Sequence, residues 1–198
     1  MKRNQKGFTL IELVITIGVM VILMGVLVPS LNVLLGFEAQ KATDNMKSAL
    51  SKTKVEAMNR IVGEMKLEYQ EDGYYLTYYL DRGKESRNQS SLAEQTVRIA
   101  SSKVLISYKL SGESQAINMK EAGNSSLILT YNRENGGFRQ VQTDVVTPQE
   151  IQDALANNRN VSFHDSGQYC EWIRIQCGMR TRTIVFQPES GTYTIQTN

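Results

Sequence analysis

Residues 13–37, LVITIGVMVILMGVLVPSLNVLLGF, form 25 consecutive positions without Asp, Glu, Lys, Arg or His. A helix needs about 20 such residues to cross the roughly 30 Å hydrocarbon core of a bilayer. The rest of the chain is polar and mixed, with no second run of this kind. One membrane helix carrying one exported domain is therefore expected. Lys2, Arg3 and Lys6 precede the run and no acid appears before Glu12, which keeps the N-terminus cytoplasmic by the positive-inside rule. A general secretory signal has a shorter apolar core, about 7–15 residues, before a small-residue cleavage site. This core is too long, although Ala39-Gln40-Lys41-Ala42 passes as such a site. A lipoprotein needs a cysteine directly behind its signal, and the first here is Cys170.

Glu12 is the anomaly. A carboxylate inside a membrane span costs roughly 2.5–3.5 kcal/mol, and ionisable groups placed there are functional by default. Its natural partner is a positive charge at the same depth. A cut between Gly7 and Phe8 creates one, the α-amino group of Phe8, which Glu12 of a neighbouring copy neutralises in a helical bundle. The run Lys6-Gly7-Phe8-Thr9-Leu10-Ile11-Glu12-Leu13 resembles the class III leader of type IV pilins and pseudopilins. The resemblance implies a prepilin peptidase/N-methyltransferase that cuts after Gly7 and methylates Phe8. It also implies that Glu12 guides docking onto other pilin or pseudopilin subunits at an inner-membrane assembly platform. Pro29 falls where that family has a kinking proline, and it removes a helix donor and crowds the preceding turn. Loss of Lys2, Arg3 and Lys6 takes the 22 basic residues to 19 against 20 acidic, so the exported product is nearly neutral.

Composition narrows the chemistry. The 198 residues suit one ordinary domain, and 41% hydrophobic with 21% charged content reads as folded. Two cysteines and one histidine are too few for a zinc finger, an iron–sulfur cluster or a disulfide scaffold. A His-dependent catalytic pair has only His164 to draw on. The expectation is no enzyme, no cofactor and no metal site.

Beyond Phe37 a helical period persists through Ala39, Ala42, Met46, Ala49, Leu50, Thr53, Ala57 and Ile61. One helix is expected from about Phe8 to Ile61, ending near Gly63. Its first half lies in lipid, and its second half packs on a sheet. An all-apolar half that leaves the bilayer must bury itself on other subunits, so the anchor doubles as a filament core. The expected organisation is a leader at 1–7, a transmembrane and filament-core helix at 8–36, an amphipathic continuation at 37–62 and a β-rich domain at 63–198. The fold class is α+β, a long helix on antiparallel sheet.

Within that domain, 65–70 and 74–80 alternate around Asp72-Gly73, a hairpin signal. A polar loop spans 81–95. Weaker strands are expected at 97–100, 104–110, 126–132 and 138–142. Thr147-Pro148-Gln149-Glu150 reads as a capped helix start. Strands at 161–164, 171–177, 181–187 and 192–196 then complete a meander. This tail and the helix end 54–60 are similar to H-type minor pseudopilins and FimT-type minor pilins, which include DNA-binding members.

The remaining candidates stay open. Cys170 and Cys177 are a candidate disulfide in an exported domain, or two separate thiols. Straight strand holds them about 23 Å apart and on opposite faces. His164 reads as a turn residue. Tyr74-Tyr75 and Tyr78-Tyr79 straddle the sheet, one set inward. Arg174, Arg180 and Arg182 form a local basic cluster, a candidate DNA contact or a solvated strand edge. The leading reading is a minor pilin or pseudopilin in secretion, adhesion, motility or DNA uptake. Its rivals are a DNA-uptake adhesin and a membrane-tethered enzyme.

Overall fold

The computed structural model describes residues 9–83, 92–123 and 125–197, with the side chains of 26–34 outside that description. Gly7, Phe8 and the kink at Pro29 therefore lie outside the described features, as does 84–91 of the expected polar loop. Helix α1 runs Leu10–Asn59, close to the expected bounds. It is followed by strands β1 (Val62–Gln70), β2 (Gly73–Asp81), β3 (Ala93–Ser101), β4 (Leu105–Leu110), β5 (Ile117–Asn118) and β6 (Ser126–Thr130). Helix α2 (Pro148–Ala156) precedes β7 (Cys170–Cys177), β8 (Arg180–Gln187) and β9 (Thr192–Thr197).

The second half of α1 buries the stripe read from the sequence: Ala39, Ala42, Met46, Ala49, Leu50, Thr53 and Ala57. Alanines on that stripe let strands approach closely. The buried Thr43 and Thr53 hydroxyls donate back to the carbonyls of Ala39 (2.7 Å) and Ala49 (2.8 Å), so neither is left unpaired. The helix ends at Arg60, whose N–H still reaches Glu56 O at 2.8 Å. Gly63 then lets β1 start tight against the last turn, because a Cβ there would strike the backbone of Ala57 and Glu56. Its role is close approach, three residues beyond the helix, rather than termination.

All strand pairs are antiparallel, as expected, but they form two sheets rather than one meander. The first has the order β3-β2-β1-β6 and the second β5-β4-β7-β8-β9. The break falls after β3: β4 pairs with β7 instead of its predecessor, a long-range choice that no local pattern encodes. Both sheets pack on α1 and share one core. The Ile106 N–H of β4 donates to Tyr74 Oη of β2 at 3.1 Å, a hydrogen bond across the two sheets. Tyr74 and Tyr78 point into this core, and Tyr75 and Tyr79 take the opposite face of β2.

Two expected strands are absent. At 138–142 there are only isolated bridges, Tyr131 with Phe138, Ile128 with Gln142 and Gln142 with Asp165, and 161–164 carries no bridge at all. The backbone donors of this region are spread over several partners: Phe138 to Pro188 O, Val141 to Gln168 O, Thr143 to His164 O. No single neighbour supplies a ladder. The hairpin corner also moves by one residue, to Glu71-Asp72, and Gly73 becomes the first paired residue of β2. A Cβ on Gly73 would collide with Ala100 O of β3, so this glycine serves strand approach.

Replacing Gly63 with Ala should destabilise the fold by about 1–3 kcal/mol, the usual cost of forcing atoms into a packed site. Urea unfolding of the full chain in micelles checks this, and an unchanged midpoint would contradict the packing role.

Candidate functional site

From Leu10 to Met24, α1 has no cover among the described residues. Leu10, Ile11, Leu13, Val14, Ile15 and onward to Met24 are exposed, Leu10 at 82% and Met24 at 62%. An apolar surface of this extent marks an interaction site on a protein or a membrane. Among the described residues, no helix is long and apolar enough to cross a membrane.

Glu12 sits in this bare surface and starts the helix. Its Oε2 accepts from Thr9 N (2.9 Å) and from Thr9 Oγ1 (2.9 Å), and Thr9 Oγ1 accepts from Glu12 N (3.4 Å). That is a capping box, with the carboxylate at the positive end of the helix. Sequence reading missed it, although the Thr-x-x-Glu spacing is the one recognised at Thr147–Glu150, where the box also forms. Only Oε2 of Glu12 is engaged among the described residues, so Oε1 stays open to a group from another chain.

The arginine cluster does not form one surface. Arg174 lies on the outer face of β7, its guanidinium 4.5 Å from the Trp172 ring. Arg182 and Arg180 pair with Ile175 and Cys177, which places them on the helix-facing side, and Arg180 packs on α1 at Gly36. A basic patch for DNA phosphates is therefore not assembled from these three.

Nor is the candidate disulfide formed: Cys170 and Cys177 are both free and buried. They occupy the two ends of β7, where extended backbone holds them apart. They share the inner face, contrary to simple alternation. The register slips between Lys109–Trp172 and Leu110–Cys170, and this bulge at Glu171 turns Cys170 inward. Burial raises the pKa of both thiols, which keeps them protonated and unreactive.

A titratable cluster lies behind the first sheet, where the sequence suggested only solvent. Glu64 shares its strand face with Lys66 and Glu68, so alternation reads it as exposed. Instead it is fully buried beneath the 139–165 segment. Its Oε2 accepts from Val146 N at 2.9 Å, and its Oε1 has no hydrogen-bond partner. Burial is the main cause that pushes its pKa to about 7, against the opposing pull of the Val146 N–H and His164.

His164 is more than a turn residue. Its Nε2 meets Glu150 Oε1 at 2.8 Å and its Nδ1 meets Asp144 O at 3.3 Å. Burial lowers the His164 pKa, but the Glu150 and Asp144 contacts outweigh it and the net shift is upward. Burial likewise raises Glu150, while its Thr147 and His164 bonds outweigh that and leave it lowered. Arg139 and Asp165 pair beside them at 2.7 Å. The arrangement fastens α2 over the sheet. Among the described residues, no group of three or more His, Cys, Asp or Glu is placed to hold a metal ion.

Residues 2–28 match the family model described as the prokaryotic N-terminal methylation motif. No curated protein and no solved structure matches the chain.

The linkage of Glu64 to stability has a definite sign. A carboxyl whose folded pKa lies above its unfolded value, here about 7 against 4.5, stabilises the fold most below the lower value. That contribution is lost as pH rises through the higher one. His164, also raised, acts in the same sense above its ordinary pKa. Between pH 4.5 and 8 the domain should lose on the order of 3 kcal/mol through Glu64. Glu64→Gln, which mimics the protonated acid, should flatten most of that slope in urea unfolding at pH 5 and pH 8. An equal slope in the variant would contradict the assignment.

Proposed function

We propose that this chain, marked by its methylation motif as a type IV pilin-like prepilin, is a minor pilin or pseudopilin. In this reading residues 1–7 are a leader cut after Gly7, and Phe8 is N-methylated by the same peptidase. Residues 8–36 anchor the chain with its N-terminus cytoplasmic and later line the filament core. Residues 37–62 continue as the helix that carries the exported domain 63–198. The role is structural, with no reaction of its own. A subtype near H-type pseudopilins or FimT-type pilins draws on the likeness of the C-terminal tail and of the helix end 54–60.

One observation carries the reading. A single helix is buried under its own sheets from Ala39 to Ala57, and from Leu10 to Met24 it is bare among the described residues, apolar and interrupted by one carboxylate. Bare apolar helix is stable only in lipid or against other helices. Glu12 then needs a cation, and the new amino terminus of a neighbouring subunit is the cation the pathway supplies. The helix cap spends one carboxylate oxygen, and the second is open for that contact.

Filament incorporation tests this, measured by immunoblot of sheared filaments from the native host. Glu12→Ala should reduce incorporation at least about tenfold, because one buried terminus loses its partner. Thr9→Val removes the cap but keeps the carboxylate, so it should stay within about twofold, given a cap worth roughly 0.5–2 kcal/mol. Normal incorporation of Glu12→Ala would sink the docking role.

A further inference from the structure

The domain has two poles, defined by what touches α1. At the near pole the β7–β8 turn meets the helix, since Leu35 lies against Gly178 and Arg180 against Gly36. At the far pole Lys54 Nζ donates to Ser190 O (3.3 Å) and Gly191 O (3.1 Å) of the β8–β9 turn. The near pole adjoins the bare apolar half of the helix. The far pole points away from it.

A groove of about 1120 Å³ opens at the far pole, between the 132–140 loop and the β8–β9 turn. That exceeds the roughly 300–1,000 Å³ of ordinary small-molecule sites, so it has room for a short oligomer. Its walls are tied together. Phe138 N donates to Pro188 O at 2.8 Å and Asn132 N to Gly137 O at 2.7 Å. Phe138 is packed between Tyr131 (4.3 Å between ring centres) and Phe186 (4.8 Å).

The lining is rich in neutral polar groups: the amides of Asn132, Asn135, Gln140 and Gln187 and the hydroxyl of Tyr169. Asn132 Oδ1 accepts from Glu134 N (3.0 Å) and Asn135 Oδ1 from Gly137 N (2.8 Å). Both amides are thereby oriented, and their Nδ2 donors have no hydrogen bond among the described residues. The side chains of Gln140 and Tyr169 likewise make none there. Charge gives the complementary argument. Arg139 is neutralised by Asp165 at 2.7 Å, which leaves the Glu189 carboxylate as the unpaired charge of the wall. Among the described lining residues no cation is without a carboxylate, and Lys54 Nζ at the groove's edge is already engaged by the carbonyls of Ser190 and Gly191, so the wall is not built for a phosphate or nucleic acid. A peptide finds no open apolar pocket, because Phe138 and Phe186 are only 7% and 6% exposed.

We propose that this groove binds a neutral saccharide chain, whose hydroxyls pair with fixed amide donors and acceptors. Its location at the exposed pole draws on the pilin reading. Binding itself does not, and it is measured on the purified full chain without any filament, so either can fail alone.

The test is calorimetric titration of the full chain, in an amine-oxide micelle free of sugar headgroups, with cellotetraose, maltotetraose and N,N′,N″,N‴-tetraacetylchitotetraose. At least one should bind saturably, with a dissociation constant of about 0.1–1 mM. Affinity should change less than about twofold between 50 and 500 mM salt, since no phosphate contacts are made. Tyr169→Ala and Gln140→Ala, neither of which breaks a side-chain hydrogen bond of the fold, should each weaken binding at least about fivefold, and Thr194→Ala on the outer face of the second sheet should not. Three results would overturn the proposal: no saturation by any of the three probes, affinity indifferent to both groove variants, or saturable binding of pentaalanine in place of the sugars.

Discussion

The buried stripe of α1 and the bare surface ahead of it belong to one continuous helix, and the remaining structure is arranged around that division. From Ala39 to Ala57 the helix presents small residues to two antiparallel sheets, which share a core that includes Met46, Leu50, Leu67, Ile106 and Ile173. From Leu10 to Met24 it presents large apolar side chains to nothing among the described residues. Water does not tolerate such a surface. In the proposed pilin role the helix takes lipid before assembly and other helices after it, with the same side chains serving both. Glu12 is the carboxylate in this stretch, and one of its two oxygens already caps the helix, which leaves the other for the docking contact proposed above.

The domain on the second half is built for rigidity. Gly63 and Gly73 let strands start against the helix and against β3 without a gap. The Ile106–Tyr74 hydrogen bond connects the sheets at their shared core. On the far side of the first sheet, Glu64, Glu150 and His164 hold the α2 segment down through a set of bonds that depends on protonation. A buried acid with one orphaned oxygen costs stability unless it carries its proton. That makes the acid form of Glu64 the comfortable one.

Elements with local periodicity were legible in the sequence. The helix stripe, the β1–β2 hairpin, the Thr147–Glu150 cap and the strands β7, β8 and β9 all follow from spacing within about ten residues. What was illegible depended on distant chain. β4 reaches past its predecessor to β7, and Glu64 shares its parity with solvated residues until 139–165 covers it. The register slip at Glu171 put both cysteines on one face, where strict alternation separates them. It did not bring them together, because the strand between them stays extended. The arginine cluster dissolves because Arg174 pairs with Thr183 on the outer face, while Arg180 and Arg182 pair with Cys177 and Ile175 on the inner one. The Thr9–Glu12 cap is a local signal of the same Thr-x-x-Glu form as Thr147–Glu150, and here it coincides with the charge that marks Glu12 as anomalous in an apolar run.

Assembly through α1 depends on the fate of the N-terminus, which intact mass and N-terminal sequencing of protein extracted from native membranes measure directly. A chain that begins at methylated Phe8 is the predicted result. It would place a free amine four residues ahead of Glu12, the cation that the proposed docking contact needs. An N-terminus beyond Phe37 would mean that the apolar helix is discarded on export, and a retained Met1 would mean a static anchor. Either result would contradict assembly through α1.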